Sequence, residues 1–431
     1  MHRSSDTDLR GRLDQLRILW VSGEYDQIIK EAQKIIREHP SGKAYNFLAL
    51  AHKKKGDVGT AQKIYEELLE FNPDNTMFLS NLGNIYFDTG QLAAAERCLK
   101  KSLDIQPGQH NAAVSLANIY AVHRKYQAAL QVFQNLKTDP AIEADQRSDL
   151  NYRIAELYRK QGAACYDDAI KYYRESQHPL SSGHLLECIY KTKPEEVFHI
   201  EKNRINQAGE RNPLLAAVQT HASIRYGTAD DNLFCKDPFN YIEHCQLGVG
   251  DGLDDALIAK ILDASRGLDS QPQELLQNGR QTAGNLFLSD EPCIQEIKRI
   301  IEEKITVYRY KFAHSQDGFL TDWPKDALLY GWLICMSEGG SLSSHMHKQG
   351  WISGSLYLEI PNDKKNNQGN IVFELCGDDY PATNGKLPSR EVNVRTGDLV
   401  MFPSSIFHRT LPTKSQTSRV SLAFDLKPSV Q

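Results

Sequence analysis

The stretch HMHKQGWISGSLYLEIP, His345 to Pro361, decides how the second half of this chain folds. From Ile352 onward apolar residues alternate with small or polar ones. Ile352, Leu356 and Leu358 fall on one face of a strand, and Ser353, Ser355 and Tyr357 on the other. The first face needs an apolar layer against it, while the second sets a polar stripe near His347, as a strand lining a cavity would. Read as strand, the segment also aims His345 and His347 the same way, because residues two apart share a face.

Further along, GDLVMFPSSIFH, residues 397–408, ends on His408, and eleven residues later comes Arg419-Val420-Ser421, again two polar side chains on one face. His345, His347 and His408 can therefore converge on one ion, with His408 arriving from a neighbouring strand. Imidazoles suit iron, copper, zinc and nickel, and a cluster that leaves coordination positions open suits a non-haem Fe(II) oxidation centre. The Arg419 guanidinium beside it is a natural anchor for a carboxylate. One histidine in a strand would be an ordinary hydrogen-bonded side chain; three at this spacing, with an Arg/Ser pair, point to a metal site.

The surrounding texture agrees. An amphipathic segment at 253–266 and a long helix near 289–309 precede short strands: ALLYGWLICMS, WISGSLYLEIP, NIVFEL, REVNV, DLVMFP and RVSLAFDL. Turn clusters such as SEGG, PNDKKNNQG, GDD, TNG and RTGD separate them. Many short strands with helices in front predict a β-sandwich or jelly roll backed by helices. Trp332 and Trp351 lie near the histidines in sequence, and core packing is the expectation for both.

The first half has a different grammar. Pro40, Pro73, Pro107 and Pro140 are 33, 34 and 33 residues apart, and Gly23, Gly56 and Gly90 keep the same step. A period of this size means stacked helical hairpins. Leu48, Ala49, Gly56, Ala61, Tyr65 and Pro73 mark one unit; Leu82, Gly83, Tyr86, Gly90, Ala95, Leu99 and Pro107 mark the next. Leu116, Ala117, Tyr120, Ala129, Phe133 and Pro140 mark a third, and Ile154, Ala155, Tyr158 and Gly162 a fourth with an insertion before Ala169. Small residues fall where helices approach closely, aromatics fill the gaps, and proline ends the second helix. Residues 178–228 stay helical in character, as degenerate repeats or a bridging layer, and His178, His184, His199 and His221 there are expected on helix surfaces.

With 431 residues two or three domains are expected. A formal charge of −5 and a pI near 6.3 make no electrostatic case for nucleic acid. The eight cysteines contain no C-x-x-C pair, which argues against a zinc ribbon or disulfide framework and for reduced thiols. The start of the chain lacks the apolar run of a secretory signal, and no segment reaches the roughly 18 apolar residues of a membrane span. The expectation is a cytoplasmic protein that binds neither membrane nor nucleic acid.

The periodic residues resemble the tetratricopeptide repeat family. Its small residue at position eight, tyrosine at eleven, alanine at twenty and proline at thirty-two are matched across 76–107 by Gly83, Tyr86, Ala95 and Pro107. The first unit departs, with Ile28 where alanine is usual, and Tyr45, Leu79 and Ala113 replace the usual tryptophan. This resemblance implies a superhelix over residues 1–177 whose concave face binds an extended peptide or partner protein. The bland alternative is an array that braces the second domain or mediates self-association.

The second half, about 229–431, resembles the 2-oxoglutarate/Fe(II)-dependent oxygenases, above all a bacterial branch with an H-x-H…SG.(Y/L)YL…G.LV.FPS…H…R.S pattern. The fold implied is a double-stranded β-helix, or jelly roll, so the whole chain is expected to be α+β and multidomain. Carried over, His345 and His408 look like the iron-binding histidines, Arg419 like the partner of the distal carboxylate of 2-oxoglutarate, Ser421 like its hydroxyl donor, and Tyr357 like the tyrosine facing it. The wider family places aspartate or glutamate where this chain has His347. His347 is then a third ligand, an outer residue beside a water-filled position, or a sign of another metal; strand alternation favours direct ligation.

The reaction implied is oxidative decarboxylation of 2-oxoglutarate coupled to hydroxylation of a C–H bond, with a protein or peptide captured by the repeats as substrate. Two other readings stay open: a three-histidine dioxygenase needing no 2-oxoglutarate, and a repeat scaffold carrying a silent metal-binding jelly roll.

Overall fold

Small residues at fixed steps bring the helices of the first half together in hairpins. In the computed structural model, which describes residues 2–268, 270–271, 273–362, 367–377, 379–415 and 417–429, the chain divides into two units, Met1–Gln177 and His178–Gln431. The first holds α1 (His2–Val21), α2 (Tyr25–Glu38), α3 (Gly42–Lys54), α4 (Val58–Phe71) and α5 (Thr76–Asp88). It continues through α6 (Leu92–Ile105), α7 (His110–Val122), α8 (Tyr126–Lys137), α9 (Ala144–Lys160) and α10 (Tyr166–Arg174). Consecutive helices pair, as the tetratricopeptide pattern requires.

Ala49, Ala61, Ala95, Ala117, Ala129, Ala155 and Ala169 are all buried. At Gly83 of α5 a Cβ would stand 2.6 Å from Leu99 Cγ on α6, so only glycine allows that approach. The turns inside the hairpins use left-handed backbone at Gly23, Gly56 and Gly90, and in the next unit at Arg124 (φ 56°), which takes the glycine's conformation with a full side chain.

The second unit opens with α11 (Ser181–Thr192), α12 (Glu195–Gln207) and α13 (Pro213–Tyr226). Every residue from Ser181 to Tyr190 and from Pro213 to Ala222 is buried, so α11 and α13 are covered on all sides except in their last turns. His184 and His221 are therefore interior, against the expectation of surface positions. Helices α14 (Asp255–Ser265) and α15 (Pro292–Lys311) follow, close to the two helical segments read from the sequence.

The sheet comprises β1 (Glu243–Gln246), β2 (Ser270–Gln271), β3 (Leu276–Thr282), β4 (Ala327–His345) and β5 (Ile352–Glu359). The remaining strands are β6 (Ile371–Glu374), β7 (Ser389–Val392), β8 (Asp398–Pro403), β9 (Phe407–Thr410) and β10 (Arg419–Pro428). All pairings are antiparallel, in the order β1-β8-β5-β10-β4-β9-β6-β7, with β3 also on β4 and β2 on β3. The SEGG segment, read above as a turn, is instead part of β4. Gly339 takes φ 75° there, and β4 pairs with β10 before this point and with β9 after it. One strand thus carries the curl of the jelly roll from one sheet to the other.

Strand alternation separates two apolar layers. Leu333, Ile352, Leu356, Leu399, Met401, Leu422 and Phe424 pack with Leu257, Ile261, Ile297 and Ile301 of α14 and α15. The opposite face turns Tyr357, Val400 and Phe402 inward, where they meet Ile371, Phe373 and Val392 of the second sheet. Gly354 serves the first layer, since a Cβ there would lie 2.3 Å from Phe424 Cζ. Among the described residues no helix is long and apolar enough to cross a membrane.

Candidate metal centre

His345 ends β4 directly opposite His408 on β9, and their rings lie 4.3 Å apart between centroids. His347 joins them at 5.2 Å from His345 and 5.1 Å from His408. One ligand atom from each of the three lies within 4.8 Å of the others. His347 does not reach this position as a strand residue. The ladder with β9 stops at His345, the chain turns, and Gly350 N–H donates to the His347 carbonyl at 3.0 Å. The expected convergence is present, with His347 two residues past the end of the ladder and at the start of the turn.

The hydrogen bonds select one nitrogen of each ring. His345 Nδ1 lies 2.9 Å from the Ser343 carbonyl, and His408 Nδ1 3.4 Å from the Ile406 carbonyl. A carbonyl can only accept, so Nδ1 carries the hydrogen in both rings and Nε2 keeps its lone pair. His347 Nδ1 faces the Asp425 carboxylate, which leaves His347 Nε2 pointing at His345 Nε2 from 3.2 Å. At that separation either one nitrogen donates a hydrogen to the other or both share a cation. Imidazole nitrogens each about 2.1 Å from an ion, and at right angles, stand about 3 Å apart, so the pair fits adjacent positions on a divalent metal. Burial, with the neighbouring His345 and His347 rings adding to it, lowers the His408 pKa well below its ordinary range and keeps the ring neutral, as a ligand must be.

Arg419 is 2% exposed and stands at the start of β10. Its Nε donates to the Gly369 carbonyl at 3.1 Å, one terminal nitrogen lies 3.3 Å from Ser421 Oγ, and the guanidinium sits 5.0 Å from the Tyr357 ring centre. Among the described residues no carboxylate lies within ion-pair distance. Burial disfavours the charged guanidinium, with only partial relief from Tyr357. A buried charge held by neutral partners alone costs several kcal/mol, on the order of what an anionic ligand would recover. Ser421 and Tyr357 are equally buried, and Tyr357 shares an interior cluster with Phe402, whose ring lies 4.7 Å from His408. The guanidinium, hydroxyl and phenol therefore line the same interior as the histidines.

Of the two tryptophans, Trp351 is a core residue, donating from Nε1 to the Phe319 carbonyl at 2.6 Å and packing on Phe234. Trp332 instead lies 5.6 Å from the His347 ring and next to Tyr330. Sequence reading missed Asp425. The signal was present, because Arg419, Ser421 and Asp425 have the same parity on β10 and Val420, Leu422 and Phe424 the other.

The family model described as "Putative 2OG-Fe(II) oxygenase" matches residues 331–425, and that for the tetratricopeptide repeat matches residues 53–119. Among curated proteins, BBSome complex member BBS4 of Bos taurus is 30% identical over 80 residues, 19% of this chain and 15% of that protein. Protein O-mannosyl-transferase TMTC3 of Homo sapiens is 31% identical over 104 residues, 23% of this chain and 11% of that protein. The matches thus span only 15% and 11% of the length of those relatives. Among solved structures, a prolyl-4-hydroxylase of Pseudomonas putida is 16% identical, with 44% of this chain and 93% of that one covered and a TM-score of 0.32. A tetratricopeptide repeat protein of Parabacteroides merdae is 12% identical, with 51% and 88% covered and a TM-score of 0.37.

Proposed function

We propose that this chain, which joins a tetratricopeptide repeat region to a 2OG-Fe(II) oxygenase domain, is a 2-oxoglutarate- and Fe(II)-dependent dioxygenase that hydroxylates a protein or peptide bound by its repeats. The observation that carries this reading is Arg419, a buried guanidinium with no acid beside it among the described residues, in an interior shared with three convergent imidazoles. A three-histidine dioxygenase without a dicarboxylate co-substrate would give that charge no counterpart.

In this reading His345, His347 and His408 hold the ion through Nε2 and leave coordination positions open. Bound there, Fe(II) with 2-oxoglutarate and dioxygen supplies the oxidising chemistry, releasing succinate and carbon dioxide as a substrate C–H becomes C–OH. Arg419 would pair with the distal carboxylate. Ser421 accepts from Arg419 and keeps its own hydroxyl hydrogen to donate to the same carboxylate. Tyr357 closes the inner wall, and the apolar lining of Phe373 and Phe402 keeps water from the reacting centre.

The protein or peptide substrate is inferred from the repeats, since such arrays commonly present binding surfaces. We place the protein in the cytoplasm, where reducing conditions suit both ferrous iron and its eight free thiols. The test is succinate formation dependent on Fe(II) and 2-oxoglutarate, together with mass spectrometry of proteins retained by the full chain for a one-oxygen gain. Turnover in the wild type that is lost in Arg419→Ala supports the reading. Wild-type protein that binds Fe(II) yet never consumes 2-oxoglutarate would sink it.

A further inference from the structure

Asp425 is buried on the same face of β10 as Arg419 but six residues further on, about 20 Å along an extended strand. The two opposite charges thus serve different ends of the interior. Asp425 Oδ1 faces His347 Nδ1 and accepts from Ser353 Oγ at 2.7 Å, and Ser353 Oγ is in turn 2.7 Å from Ser404 Oγ. Ser353 and Ser404 are fully buried. Lys427 Nζ lies 3.9 Å from Oδ2. At Gly350 a Cβ would stand 2.5 Å from Ser404 Oγ and 3.2 Å from Asp425 Oδ1. The backbone of the His347 turn is pressed onto this network, which fixes the ring's orientation from behind.

We propose that Asp425 is a positioning residue of the metal centre: its carboxylate accepts a hydrogen bond from His347 Nδ1–H, aims Nε2 at the ion, and restores from one residue away the negative charge that a carboxylate ligand would bring directly. The inference rests on the reading of the three histidines as an iron centre. It accounts for histidine at a position where an acid is usual. A neutral imidazole alone leaves the ion's double charge undiminished, whereas an imidazole hydrogen-bonded to a buried carboxylate is a more basic ligand in a fixed tautomer. The buried acid is also stabilised by the metal charge across the ring.

The experiment is anaerobic Fe(II) titration of the full chain, with Co(II) absorption as a second report of the ligand field. It is run on wild type, Asp425→Asn, His347→Asp and the double variant His347→Asp/Asp425→Asn. Removing such an outer carboxylate is expected to weaken Fe(II) about 10- to 100-fold and to shift the Co(II) bands. In the His347→Asp background the charge is already on a ligand, so Asp425→Asn should leave affinity unchanged or raise it. That reversal is what a merely structural role would not produce. Equal affinity of wild type and Asp425→Asn, or the same loss in both backgrounds, would overturn the inference while leaving the iron centre intact. A wild type that binds no metal brings down the iron reading and this inference with it. Should Asp425→Asn not fold, Asp425→Ser keeps a small acceptor without the charge and takes its place under the same outcomes.

Discussion

Lys348, the residue after His347, places its ammonium 4.0 Å from the carboxylate of Glu187 on α11. Glu187 is 1% exposed and also meets His184 Nδ1 at 3.1 Å and Lys191 Nζ at 3.0 Å. Burial pushes its carboxyl up, but the His184 hydrogen bond and the charges of Lys348, Lys191 and His184 outweigh this and hold it far below the usual carboxylate range. A helix more than 150 residues before it in the chain therefore braces the His347 turn through a charge cluster around a buried acid.

Removing that buried acid takes the shared acceptor from His184, Lys191 and Lys348. Glu187→Ala is expected to destabilise the second unit by about 1–3 kcal/mol, the cost of leaving a buried polar group short of an acceptor. Urea denaturation followed by tryptophan fluorescence measures it. Glu187→Gln should recover only part of the loss, because it restores volume and one acceptor but no charge. A loss under about 1 kcal/mol for Glu187→Ala would show that the cluster is solvated in solution.

Acid should unfold this unit in two stages. His221 is fully buried, with Nδ1 2.6 Å from Tyr190 Oη and its ring against Tyr380. Burial, with Arg225 nearby, lowers its pKa to about 4. The folded state then binds fewer protons than the unfolded state between about 6.5 and 4, so stability is complete above pH 6.5 and falls as pH drops toward 4. The shift corresponds to about 3 kcal/mol at most. Glu187, whose pKa is lowered, adds a further loss below its unfolded value of about 4.5. Denaturation at a series of pH values should show the first stage disappear in His221→Gln and the second remain.

The repeat unit offers a stabilising change. Arg124 holds φ 56° where Gly23, Gly56 and Gly90 occupy the equivalent turns. A left-handed conformation costs a residue with a Cβ about 1–2 kcal/mol, and glycine returns about half of that as unfolded-chain entropy. Arg124→Gly is therefore expected to stabilise residues 1–177 by roughly 0.5–1 kcal/mol. Thermal and urea unfolding would read no gain if the arginine side chain held the turn by other contacts.

Much of this architecture can be read from residue order. The 33- and 34-residue steps set out the hairpins, and the parity of 352–358 assigned the faces of β5 correctly because both faces are buried against different layers. Reading failed where tertiary context overrides local pattern. Gly339 and Gly340 look like a turn but bend a continuous strand, since pairing with β10 on one side and β9 on the other keeps the backbone extended. β1, β2, β3 and β9 went unread because each is short or weakly alternating. Charge balance hid the rest: Asp425 and Glu187 look like ordinary surface acids until their partners, 78 and 161 residues away, are brought to them.

Gly350 links the turn to the outer network, and its substitution tests that link apart from any charge. A methyl group at this position would meet Ser404 Oγ at 2.5 Å and Asp425 Oδ1 at 3.2 Å. Ser404 can rotate away only by giving up its hydrogen bond to Ser353, and the carboxylate can retreat only by loosening its hold on His347. Overpacking of this kind costs about 1–3 kcal/mol. Gly350→Ala should lower the melting temperature modestly and weaken Fe(II) by more than Gly354→Ala does. At Gly354 the clash is with Phe424 in the layer facing the helices, so that variant should lose stability with metal affinity kept. Equal effects of the two substitutions on Fe(II) affinity would mean that the serine and aspartate network does not reach the ion through His347.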